Sequence, residues 1–89
     1  MVDNFKILNM WLDEEKDFGI LEVENDVLGS VFCPIESHQS NYADYHIIDH
    51  HNCQSYWVAR KIIHPFITGK LSKSKGNKYI ENVRISESV

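Results

Sequence analysis

Between Phe5 and Ile35 the chain places apolar side chains at every second position in short runs separated by polar turns, the spacing of half-buried β-strands. In residues 5–12, Leu8, Met10 and Leu12 fall on one face, with Ile7, Asn9 and Trp11 on the other. In residues 18–23, Phe18, Ile20 and Glu22 oppose Gly19, Leu21 and Val23; in residues 30–35, Phe32 and Pro34 oppose Val31, Cys33 and Ile35. The polar stretches 13–16 and 24–29 read as turns, so the pattern predicts three consecutive antiparallel strands. One face of each strand can pack a core, which leaves Trp11, Phe18 and Phe32 for display on the other.

Beyond Ile35 the pattern weakens. Residues 36–56 are polar with scattered aromatics and read as a long loop, in which Tyr42, Tyr45, His46 and Asp49 fall near helical spacing. Residues 56–69 offer a fourth strand interrupted by Pro65, an edge or a bulge. Residues 70–78, rich in lysine with Ser and Gly, read as a basic hairpin tip, residues 78–85 as the last strand, and residues 86–89 as a fraying tail. The expectation is an all-β chain: a five-stranded antiparallel OB-type barrel forming a single domain over residues 1–89. A barrel suits 89 residues, because closure buries one face of every strand and leaves few open edges.

Charge changes the picture more than composition does. The formal net charge is −4, yet residues 1–49 carry eleven Asp and Glu against Lys6 and Lys16, while residues 50–89 carry seven Lys and Arg against Glu81 and Glu87. The first part is thus −9 and the second +5, a dipolar chain whose total conceals a basic surface. No apolar run reaches the roughly 20 residues of a membrane span, and the start MVDNFK lacks the pattern of a signal peptide, so a cytoplasmic location with Cys33 and Cys53 reduced is expected.

Trp11-Leu-Asp-Glu-Glu-Lys16-Asp-Phe18-Gly19-Ile20-Leu21 resembles the W-F-N-x-x-K-G-F-G-F-I segment of cold-shock domains. Val31-Phe32-Cys33-Pro34-Ile35 resembles their V-F-V-H-F, and Ile80-Glu81-Asn82-Val83 the A-x-N-V of their last strand; the middle of the chain has no counterpart. The resemblance implies single-stranded RNA or DNA binding on aromatic side chains. Trp11, Phe18 and Phe32 keep a ring at the matching positions, whereas Ile20, Pro34 and Ile35 have lost one, and Asp17 replaces the glycine after the lysine. Each stacked base contributes ~1–3 kcal/mol, so a halved platform weakens binding by orders of magnitude.

The nucleic-acid-binding set expected from the sequence is Trp11, Lys16, Phe18, Phe32, Lys70, Lys73, Lys75 and Lys78, the lysines serving phosphates. The competing reading packs the rings beneath residues 36–56 or against another protein. In that case the module is an interaction or inhibitor protein, of phage-encoded or immunity type, whose acidic part covers a basic partner. His38, His46, His50, His51 and Cys53 crowd one segment, but no CxxC and no four-ligand pattern accompanies them, so no metal is assigned. Asp49-His50-His51 matches the DHH signature of a phosphoesterase family without its further carboxylate motifs, and nothing supports Cys53 as a nucleophile. No catalytic residue and no cofactor is expected.

Overall fold

A computed structural model describes residues 6–38, 41–48, 53–76 and 82–85. The elements are β1 (Ile7–Leu12), β2 (Phe18–Asn25), β3 (Gly29–His38), β4 (Asn41–Ile47), α1 (Tyr56–Ile63), β5 (Ser72–Lys75) and β6 (Asn82–Ile85). They form one sheet in the order β5-β1-β2-β3-β4-β6. The five strands from β5 to β4 are antiparallel neighbours, and β6 joins β4 in parallel.

The meander expected over residues 7–35 is present, and local chemistry explains its turns. Asn25 Oδ1 accepts from the backbone N–H of Val27 and Leu28, both at 2.9 Å, and Gly29 takes the positive φ of 85° that closes the turn into β3. Gly19 sits opposite Leu12, where a Cβ would collide with the Trp11 carbonyl oxygen and the Leu12 side chain. Only glycine lets β1 and β2 approach this closely.

Both faces of the sheet are buried. On one, Met10, Leu12, Leu21, Val23, Val31, Ile35, Tyr45 and Ile47 form a core. Met10, Leu21 and Ile35 have no exposed surface although α1 packs on the opposite side. Ile7 joins this cluster rather than the Trp11 face expected for it, because a bulge between Ile7 and Asn9 shifts the alternation. Tyr45 is buried with its hydroxyl donating to the Lys16 carbonyl at 2.6 Å, which ties β4 to the β1–β2 turn.

Several expectations are corrected. Within the loop placed over residues 36–56, β3 continues to His38 and β4 spans Asn41–Ile47, so the helical spacing of Tyr42, Tyr45 and His46 is not used, while Asp49 lies outside the described residues. The strand placed over residues 56–69 is α1 and the turn after it. Ser55 caps the helix, its Oγ accepting from Val58 N–H at 3.2 Å, and Tyr56, Ala59 and Ile63 form an inward stripe. Pro65 lies just past the helix end, where it costs no hydrogen bond. The residues 70–78 assigned to a hairpin tip include β5, which pairs with β1. Among the described residues the sheet has five antiparallel strands, the number expected, with β6 added in parallel, and no pairing joins β5 to β6, so it is not closed into a barrel. The described part of the last expected strand runs parallel to β4, which is possible because α1 and β5 supply a crossover. Among the described residues no helix is long and apolar enough to cross a membrane.

Candidate functional site

The face of the sheet opposite the Met10 core carries the rings singled out in the sequence. Strand register sets Lys73, Trp11, Ile20 and Pro34 side by side across β5, β1, β2 and β3, with Lys75, Asn9, Glu22 and Phe32 as the neighbouring row. Trp11, Phe18 and Phe32 therefore do share one face, together with Ile20.

They are not an open platform, however, because α1 lies over β2 and β3. Ile20, Cys53, Ala59 and Ile63 form a second buried cluster, with Trp11, Phe18, Phe32 and Tyr56 packed half-buried around it. Trp11 meets Phe32 at 6.0 Å and Tyr56 at 4.9 Å between ring centroids, while Phe18 stacks on Phe66 at 5.5 Å. The cover is α1 and the turn after it, joined by the end of the segment expected to provide it: Ile48 and Cys53 pack in the same cluster, and Phe32 N–H donates to the Cys53 carbonyl at 2.9 Å. An amphipathic helix is retained here because Ile20 and Pro34 would otherwise face water.

A different aromatic surface results. Trp57 is 67% exposed on α1 and meets Tyr56 edge to face at 5.1 Å. The Arg60 guanidinium carbon stands 5.6 Å from the centre of the Trp57 ring, and Lys73 Nζ stands 5.5 Å from that of Trp11. Contacts thus run without interruption through Lys73, Trp11, Tyr56, Trp57 and Arg60, a strip of rings with a cation at each end, each within cation–π range. Outside it, Trp57, Arg60, Lys61 and His64 line a cleft of about 200 Å³. Their spacing of three, four and seven residues puts them on one face of a helix, a signal present in the sequence but masked while the run was read as a strand.

Of the other expected residues, Lys70 and Lys75 are exposed, Lys75 on β5 opposite Asn9; Lys16 is exposed in the β1–β2 turn with a positive φ of 59°; Lys78 lies outside the described residues. Several carboxylates near this face are occupied. Glu22 accepts from Asn9 Nδ2 and Ser30 Oγ, each at 2.8 Å, and Glu36 lies 3.5 Å from His46 Nε2. Asp13 is buried and accepts from the backbone of Asp17, Phe18 and Thr68. Cys33 is half-buried and Cys53 buried; burial, with a smaller contribution from Cys53, pushes the Cys33 thiol up to about 11, the opposite of nucleophile activation.

No protein-family model, curated protein or solved structure matches this chain.

Proposed function

We propose that the protein binds single-stranded RNA or DNA along the strip formed by Lys73, Trp11, Tyr56, Trp57 and Arg60. The observation that carries this reading is the unbroken run of three exposed or half-buried rings with a cation at each end across β5, β1 and α1. Bases stack on flat aromatic faces regardless of sequence, and cations beside the rings neutralise the phosphates that link those bases. Lys70 and Lys75 lie to the β5 side as further phosphate contacts. We read the open sheet as a divergent relative of the OB-type, cold-shock fold, in which a helix crosses the sheet face and the ligand surface lies at its edge.

A second reading draws on the other end of the molecule. Val27, 88% exposed, and Leu28 project from the β2–β3 turn beside exposed Asp26 and Glu24, the latter 3.7 Å from Lys6 Nζ. An apolar tip with an acidic rim suits a basic protein surface, in which case the module is an inhibitor or adaptor.

Titration with labelled oligo-dT and oligo-U at low and moderate salt tests the first reading. Binding should quench tryptophan fluorescence and fall steeply with salt, and Lys73→Glu should weaken it further. If the wild-type protein binds neither oligonucleotide even at low salt, the nucleic-acid reading is wrong and the acidic surface becomes the one to pursue.

A further inference from the structure

The strip does not explain the cleft at its α1 end. Arg60 Nε is shielded from solvent and has no hydrogen-bond acceptor among the described residues, although its guanidinium is positioned over the Trp57 ring. A buried donor on a charged group left without an acceptor is costly, and such donors commonly mark a place where something else supplies one. The helix dipole accounts for cations in the last turn of α1, where Arg60 and Lys61 stand, but it supplies no acceptor to Nε.

The lining narrows the ligand. Arg60, Lys61 and His64 bring hydrogen-bond donors to the cleft, Trp57 brings a ring, and no carboxylate is among the lining residues. An anion rich in acceptor oxygens suits these donors, and a planar group attached to it suits the ring. A phosphodiester within a strand carries one charge, whereas a terminal phosphate monoester carries about −1.5 to −2 near neutral pH and has an additional oxygen free to accept.

Resting on the single-strand reading above, we infer that this cleft holds the terminal phosphate monoester of a bound strand, with the terminal base against Trp57. Binding then begins at a phosphorylated end and runs along the strip toward Lys73. The chemistry is shared by 5′- and 3′-phosphorylated ends, and the direction in which the strand lies decides between them.

Calorimetric titration of the full chain with unlabelled decathymidylate bearing a 5′-phosphate, a 3′-phosphate or two hydroxyl ends tests this, with thymidine 5′-monophosphate and thymidine as short probes. One phosphorylated end should bind at least ten-fold more tightly than the hydroxyl-ended strand. That preference should vanish in a Lys61→Gln, His64→Gln double variant, which changes only exposed side chains and should keep its circular dichroism spectrum and its affinity for the hydroxyl-ended strand. Equal affinity of the wild type for all three strands overturns the inference and leaves the single-strand reading in place. Thymidine monophosphate binding without any oligonucleotide binding keeps the cleft as a monoester site and removes the strip. Binding of no probe removes both.

Discussion

The backbone N–H of Thr68 donates to Asp13 Oδ2 at 3.0 Å, while Oδ1 of the same carboxylate accepts from the N–H groups of Asp17 and Phe18 at 2.9 and 3.3 Å. One buried side chain thus closes the β1–β2 turn and fastens to it the segment that follows α1. A second bond, from Glu14 N–H to the Thr68 carbonyl at 3.0 Å, runs beside it. Through this clasp the helix is held over the sheet from its C-terminal side.

Asp13 is therefore not a spare surface charge, though the charge pattern groups it with Glu14 and Glu15. Asp13→Ala should destabilise the fold by about 3 kcal/mol, since it leaves backbone donors without an acceptor and each bond to a charged group contributes roughly 1.5–3 kcal/mol. Glu15→Lys, on an exposed position, should stay within ~0.5 kcal/mol of wild type. Urea denaturation of the two variants separates them, and equal midpoints would show that the carboxylate bonds do not hold the clasp.

The rings divide by position into covered and displayed. Trp57→Ala should leave stability nearly unchanged while weakening single-strand binding by ~1–3 kcal/mol. Phe32→Ala and Trp11→Ala remove packing beneath α1 and should cost about 2 kcal/mol or more of stability, less than the 3–5 kcal/mol of a fully buried ring because both are half-exposed. Paired thermal melts and oligonucleotide titrations give the two readouts. Loss of stability in Trp57→Ala would mean that its ring is part of the core.

Gly19→Ala should fail more severely than its size suggests. The added methyl meets the Trp11 carbonyl, a backbone atom that cannot move without opening the β1–β2 pairing. A loss of several kcal/mol is expected, against the ~1 kcal/mol gain that removing a glycine from an unstrained strand interior would bring. A variant as stable as wild type in urea would show that the strands can separate at this point at little cost.

Alkaline stability should follow Cys33. Its thiol ionises at about 11 in the fold against 9.0 for the free group, so between those values the folded chain holds a proton that the unfolded chain has released. The contribution is complete below pH 9 and is lost as pH rises through 9 toward 11. Cys33→Ser, compared with wild type by urea midpoints from pH 8 to 11, should show a shallower decline. Parallel curves would place the titrating group elsewhere.

Residues 7–35 show what the sequence determined by itself. Strand alternation is a local property, so the partition that sets Trp11, Ile20 and Phe32 on one face and Met10, Leu21 and Ile35 on the other was legible from spacing, with Ile7 displaced only by a bulge. The turn at Asn25 and the basic character of Lys73 and Lys75 were legible for the same reason. Residues 56–63 were not, because a short run of aromatic and β-branched residues satisfies both periods. Its helical form follows from the need of Ile20 and Pro34 for a cover, met by Tyr56, Ala59 and Ile63 on one stripe. That choice placed Trp57, Arg60, Lys61 and His64 together on the outside and laid a helix over the rings that the strands alone would have displayed. The parallel seat of β6 beside β4 and the burial of Asp13 beneath Thr68 likewise depend on partners 38 and 55 positions away in the chain, a separation at which no local pattern carries information.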